Sequence, residues 1–212
     1  MTTFILYDCA TAPSPRRARI LLAEKGVAHE TVEIDLRSNE QLGDAYRQVN
    51  PQCTVPALRT DDGLVLADNA AITAWLEARF PEPPVLGVTP REKAEIASWN
   101  WRVEFEGLLA IAEAMRNSAP ALAERALTGP VGYPQIPALA ERGRARARQF
   151  FATLEERLAG REFLAGDRFS VADITAVVAV DFARVIKLRA DEQWPELQRW
   201  RAGMARRPAM SL

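Results

Sequence analysis

The tract Phe80-Pro81-Glu82-Pro83-Pro84 divides the chain into two regions of different hydrophobic period, and this constrains the fold more than any other feature. Three prolines in four residues cannot continue a helix, because proline lacks the amide hydrogen and its ring clashes with the preceding turn. Before the tract, short β-branched or aromatic runs at 3–8, 29–34, 57–60 and 64–66 alternate with helix-patterned stretches. Thr60-Asp61-Asp62-Gly63 supplies a tight turn between the last two runs. After the tract, every periodic stretch is helical. The pattern predicts a βαβ unit, a hairpin and a helix over 1–80, a linker at 81–88 and an all-α domain over 89–212.

Composition narrows the partners. The chain holds 27 basic and 28 acidic side chains, a formal charge of −1, so no field favours nucleic acid or an anionic membrane. Small neutral or zwitterionic ligands remain open. Cys9 and Cys53 are too few for a disulfide framework and form no metal-binding pattern, which predicts a reducing compartment and no metal. Met1-Thr2-Thr3-Phe4 lacks a basic segment followed by an apolar one, and no apolar run reaches the ~18 residues of a membrane span. The expectation is a soluble, cytoplasmic protein.

Within the helical region, Thr89-Pro90 reads as a cap with proline at the first helical position, launching a helix to about Asn117. Pro120, Gly129, Pro130, Gly132, Pro134 and Pro137 then interrupt the pattern until helices resume near Ala138; so long a loop is usually functional or disordered. Ser170-x-x-Asp173 reads as a capping box, with Phe169 stapled to Ile174. Arg142, Arg144, Arg146 and Arg148, spaced by two, read as a solvated surface. Trp99 and Trp101 read as core or interface anchors, and His29 as solvent-facing.

The chemistry concentrates in Asn50-Pro51-Gln52-Cys53-Thr54-Val55-Pro56-Ala57-Leu58, followed ten residues later by Asp68-Asn69. Only an X-Pro bond adopts cis readily, and Val-Pro just before a short strand leaves the Val55 amide and carbonyl unpaired. Those groups can take a peptide ligand like an added strand. Asp68 offers a carboxylate for an ammonium, and the helix it opens offers amides for a carboxylate. The matching ligand is a small zwitterionic peptide.

These segments resemble the glutathione site of cytosolic glutathione transferases. Phe4-Ile5-Leu6-Tyr7-Asp8 and Ala12-Pro13-Ser14-Pro15-Arg16-Arg17-Ala18-Arg19 are similar to the family's first strand, active-site loop and first helix. Phe163-Leu164-Ala165-Gly166-Asp167-Arg168-Phe169-Ser170-Val171-Ala172-Asp173-Ile174 is similar to the capping segment of its C-terminal domain. The resemblance implies a thioredoxin-like α/β N-terminal domain followed by an all-α domain, with glutathione as co-substrate. It further implies that the thiolate is passed to a small hydrophobic electrophile in a detoxifying homodimer, with Glu104 or Glu106 completing the partner's site. By position it assigns Val55 to the cysteinyl backbone, Pro56 to the cis bond and Asp68 to the γ-glutamyl ammonium. Asn69 with the Ala70 amide falls to the adjacent carboxylate, Gln41 to the glycine carboxylate, and Thr54 to a backbone contact.

One position departs from the family. The usual catalytic Ser or Cys falls on Ala12, which neither donates a hydrogen bond nor attacks. Four nearby residues are open as substitutes. Ser14 is expected to cap a helix over 15–25 while its hydroxyl points at a sulfur, Thr11 lies in the loop, Cys9 can form a mixed disulfide, and Tyr7 is expected to pack. The chain is most similar to an atypical microbial subgroup lacking the Tyr, Ser or Cys, in which water held by the C-terminal domain is thought to activate the thiol. That places Arg116 and Asn117 at the site, with Ala112 where a hydroxyl is expected, and Arg116 also reads as a solvated helix-end arginine. Arg116, Asn117 and Tyr133 are then expected around the second substrate. Cys53 stands where the family has Gly, and a Cys9–Cys53 disulfide is a further expectation. Two other activities remain open: glutathione-dependent disulfide or peroxide reduction through Cys9, and a non-catalytic binding or regulatory role.

Overall fold

The run Phe4–Asp8 forms β1, an inner strand of a four-stranded sheet of order β2-β1-β3-β4 in a computed structural model that describes residues 3–212. His29–Glu33 (β2) lies parallel to β1, which requires a crossover; Pro13–Glu24 (α1) supplies it. Ala57–Arg59 (β3) and Val65–Leu66 (β4) form the antiparallel hairpin, with Gly63 at φ +90° and the Thr60 amide donating to the Leu64 carbonyl at 2.9 Å. Alternation sorts the side chains. Leu6 faces Leu58 and both are fully buried, whereas Tyr7 and Ala57 face the other way, into a cluster with Ile34 and with Tyr46 of Asp44–Val49 (α2). Asn69–Arg79 (α3) packs on α1. The Lys25 ammonium, at the C-terminal end of α1, is fully buried and donates to Glu77 of α3 at 2.5 Å and to the Phe80 and Pro83 carbonyls at 2.8 and 2.6 Å.

The described chain separates into two compact units. One holds the residues up to Pro83 with Thr128–Gly132 and Leu212, and the other holds Pro84–Leu127 and Tyr133–Ser211. The second unit is helical. Pro90–Arg102 (α4), a π-helical stretch at Val103–Leu108 and Leu109–Arg116 (α5) run on without a break, as the expected helix to about Asn117 requires. Thr89 and Glu92 cap its start reciprocally. The π stretch had no sequence signal. It coincides with Gly107, where an added Cβ would lie 2.6 Å from the Phe150 ring of Pro137–Leu158 (α6). Gly143 plays the same part opposite: a Cβ there would lie 2.6 Å from the Ala110 carbonyl oxygen, so α5 and α6 approach backbone to backbone. Val171–Phe182 (α7) is buried at every position from Val171 to Val180, with Asp173 and Thr175 the polar exceptions in an otherwise apolar run, the pattern of a core helix. Pro195–Met204 (α8) packs on α6.

The Asp173 half of the expected capping box is formed: its carboxylate accepts from the Ser170 amide at 3.0 Å, the Ser170 hydroxyl at 3.2 Å and the Leu164 amide at 2.8 Å. Burial pushes the Asp173 carboxyl up to about 6.

Three expectations are corrected. Helix α1 starts at Pro13 with Ala12 as its uncapped N-cap, so Ser14 lies inside the first turn and is not the cap. Both Pro13 and Pro15 fit there because the first-turn amides have no helical partner to lose. His29 opens β2, with Nδ1 3.1 Å from the Val27 carbonyl. The α6 arginines are not all solvated surface: Arg142 and Arg146, four apart, share one face and both pair with Glu113 of α5. Arg146 also donates to the Phe105 carbonyl at 2.7 Å.

Candidate functional site

The loop Cys9–Ala12 joins β1 to α1. The Ala12 amide donates to the Cys9 carbonyl at 2.9 Å, closing a turn. Arg19, on α1, donates to the Asp8 carboxylate at 2.6 Å and to the Ala10 carbonyl at 3.1 Å, and the Ala10 amide donates to Glu33 of β2 at 2.9 Å. Thr11 is exposed, its hydroxyl 3.6 Å from the Cys9 sulfur, and its amide takes no partner among the described residues. The Ser14 hydroxyl accepts from Arg17 at 3.2 Å, which leaves its proton free to donate elsewhere. Cys9 and Cys53 are both buried free thiols, so the anticipated disulfide is not formed.

The Val55-Pro56 peptide is cis. Neither the amide nor the carbonyl of Val55 takes a hydrogen bond among the described residues, and β3 begins only at Ala57. This open edge is held by groups the sequence reading missed. The Tyr46 hydroxyl and the Asn50 side chain both donate to the Thr54 carbonyl, at 2.7 and 2.8 Å. Asn50 also donates to the Thr54 hydroxyl at 3.2 Å and accepts from the Gln52 amide at 3.0 Å. Burial pushes the Tyr46 phenol up to about 12, so it stays a donor across the working pH range. Cys53 sits at φ +54°, the left-handed region that favours glycine. The available signal was spacing, since Tyr46 lies one helical turn before Asn50.

Asp68 is the N-cap of α3, accepting from the Ala71 amide at 2.8 Å while remaining exposed. Asn69 donates to the Ser14 carbonyl at 3.1 Å, which ties the first turns of α3 and α1 together. The donors of two helix starts therefore stand side by side with the thiol loop. Gln41 is buried in the short turn Glu40–Leu42 and its Oε1 has no partner, so it does not extend into solvent as an exposed helix residue would.

In the helical unit, Arg116 donates to the Arg125 and Leu127 carbonyls at 2.6 and 3.1 Å, and burial lowers its pKa from the usual arginine value. The Asn117 amide donates to the Glu113 carbonyl at 2.9 Å and accepts from the Ile136 amide at 2.9 Å. Gln135, absent from the sequence-based candidates, donates to the Arg116 and Ala119 carbonyls, both at 2.7 Å. These residues brace the 118–136 loop. Tyr133 is exposed, and its carbonyl accepts from the Ala126 amide at 2.9 Å.

Among the described residues no group of His, Cys, Asp or Glu is arranged to hold a metal, and no helix is long and apolar enough to cross a membrane.

An open strand edge thus lies beside two helix N-termini in a thioredoxin-like layer. The model of the glutathione S-transferase N-terminal domain matches residues 11–79, and that of the C-terminal domain matches 119–208. Glutathione S-transferase 2 of Saccharomyces cerevisiae is 34% identical over 209 residues, covering 97% of this chain and 87% of its own. The crystal structure of Gtt2 from Saccharomyces cerevisiae superposes with a TM-score of 0.88 at 33% identity, covering 98% of each chain. That of a glutathione S-transferase domain-containing protein from Marinobacter aquaeolei VT8 does so at 0.87 and 36% identity, covering 97% of this chain and 99% of the other. The chain belongs to the glutathione S-transferase family and has its fold.

Proposed function

We propose that this enzyme binds glutathione and transfers its thiolate to a small hydrophobic electrophile. The unpartnered Val55 backbone carries the reading, because an open amide and carbonyl at a strand edge match the cysteinyl unit of an extended peptide. Asp68 takes the γ-glutamyl ammonium, Asn69 and the Ala70 amide its carboxylate, and Gln41, through its NH2 group, the glycine carboxylate. Pro56 sets the direction of the edge, and Thr54 contributes through its backbone.

In the reaction the glutathione thiol gives its proton to water, the sulfur attacks the electrophilic carbon, and the leaving group departs with its bonding electrons. A free thiol ionises near pH ~8.5, and a helix N-terminus with a hydrogen-bond donor lowers this by about one to several units. Thr11 and Ser14 are the proposed side-chain donors. Cys9 is nearly inaccessible, which favours conjugation over a reductase route through its thiol. The loop braced by Arg116 and Asn117, with Tyr133 exposed on it, is proposed to receive the electrophile.

A cytoplasmic homodimer with a detoxifying role completes the reading. Trp101, Phe105 and Leu109, spaced by four, are all exposed, and the rings of the first two stack at 5.0 Å; this apolar stripe supports a second copy as its occupant. Steady-state conjugation of glutathione to an aryl halide such as chlorodinitrobenzene tests the activity. Turnover that saturates in glutathione is expected, and turnover equal to the uncatalysed rate over a panel of electrophiles refutes it.

A further inference from the structure

The turn that follows β1 is held far more firmly than a solvent-facing loop requires. Asp8 and Arg19 form a nearly buried ion pair, with side chains 4% and 15% exposed. Burying two charges is unfavourable unless their remaining hydrogen-bonding capacity is used. Here it is used on the loop. The guanidinium fork reaches past Asp8 to the carbonyls of Ala10, at 3.1 Å, and Cys9, at 3.5 Å. From the other side of β1, Glu33 accepts the Ala10 amide at 2.9 Å. The Cys9 carbonyl also accepts the Ala12 amide. Residues 9–12 are thus fixed by β1, β2 and α1 at once.

What this bracing leaves over is informative. Ala12 offers no polar side chain, and α1 begins without a side-chain cap. Pro13 and Pro15 carry no amide hydrogen, so the backbone donors left without a partner among the described residues are the Thr11 and Ser14 amides. Backbone donors stabilise a charge in proportion to how well they are held before it arrives. We infer that Arg19, Asp8 and Glu33 are positioning residues that set the acidity of the bound glutathione thiol by fixing these backbone donors. The inference rests on the glutathione reading above. None of the three touches the sulfur; the fork of Arg19 acts through the backbone, alongside whatever the Thr11 and Ser14 hydroxyls donate.

The test compares wild type with Arg19→Met, Arg19→Lys, Asp8→Asn and Glu33→Ala. Three quantities are read: the pKa of bound glutathione from its ultraviolet thiolate absorbance, the affinity for S-methylglutathione, which has no thiol, and the melting temperature. Arg19→Met is expected to raise the bound thiol pKa by about one unit, roughly a tenfold loss of thiolate near neutral pH. Affinity for S-methylglutathione should stay within about threefold, because the Val55 edge is untouched. Arg19→Lys should fall between wild type and Arg19→Met, since an ammonium keeps the charge but not the fork. Glu33→Ala, at an exposed position, removes the acceptor of the Ala10 amide and carries the test if the Arg19 or Asp8 variants do not fold. A bound thiol pKa unchanged in the folded variants, with only the melting temperature moved, overturns the inference. So does a wild-type thiol pKa equal to that of free glutathione despite binding. Failure of wild type to bind S-methylglutathione at all refutes the glutathione reading and this inference with it.

Discussion

Replacing Asn50 by Ala separates the placement of glutathione from the chemistry on its sulfur. Asn50 is fully buried, and its side chain makes three hydrogen bonds, two to Thr54 and one from the Gln52 amide. A net hydrogen bond is worth about 1 kcal/mol. The Thr54 carbonyl keeps its Tyr46 donor, and Gln52 is exposed to water, so the loss should lie near the sum of the bonds, on the order of 2–3 kcal/mol of stability. The functional effect follows from Val55 standing next to Thr54. A loop no longer pinned misplaces one or both Val55 bonds to the ligand, which weakens glutathione binding by roughly 5–30-fold. The rate at saturating glutathione should change less, because the Cys9–Ala12 turn is braced separately. Asn50→Asp is the sharper variant, since a carboxylate still accepts from Gln52 but repels the Thr54 carbonyl it must face; it should bind glutathione no better than Asn50→Ala. Denaturant unfolding and calorimetric titration measure the two effects. Reduced stability with glutathione affinity unchanged in both variants would refute the reasoning.

Lys25→Met, which keeps the apolar stem but removes the ammonium bonds to Glu77, Phe80 and Pro83, should lower unfolding free energy by about 3 kcal/mol; a loss below about 1 kcal/mol in denaturant unfolding contradicts the clamp. Gly143→Val should lower stability by about 1–3 kcal/mol, measured as a fall in melting temperature, because its Cβ meets the α5 backbone. If the proposed dimer forms through the exposed Trp101–Phe105 stripe, Trp101→Asp with Phe105→Asp should shift the light-scattering mass from dimer to monomer, and an unchanged dimer would contradict that interface. Asp173 has a folded pKa of about 6, above its ordinary 3.8, so the folded state holds the proton more tightly. Its contribution is full below pH ~4 and is lost as pH rises through ~6, so the stability of wild type relative to Asp173→Asn should fall across that window, on the order of 2 kcal/mol in paired denaturant titrations.

The fold was legible where local chemistry decides it. The Thr89-Pro90 start and the Thr60–Gly63 turn each act through backbone geometry confined to a few residues, and each lies where the sequence placed it. The start of α1 was misplaced because two prolines compete for the first turn, and a single sequence does not say which one begins it. The π stretch escaped because nothing local marks it; its Gly107 meets the Phe150 ring, some forty residues away. In the site, Val55-Pro56 and the Asp68 cap were legible as motifs. Tyr46, Arg19 and Glu33 were not, because their roles exist only once β1, β2 and α2 are assembled. The two arginines facing Glu113 escaped for a related reason: a spacing of two looks scattered until alternate members, four apart, are seen to share a face.

Calorimetric titration with glutathione across pH, in buffers of different ionisation heat, tests the central claim most directly. The account predicts binding accompanied by release of close to one proton near neutral pH, the signature of a thiol ionised on arrival. Binding with no proton release would contradict the transferase mechanism, and no binding at millimolar glutathione would contradict the site itself.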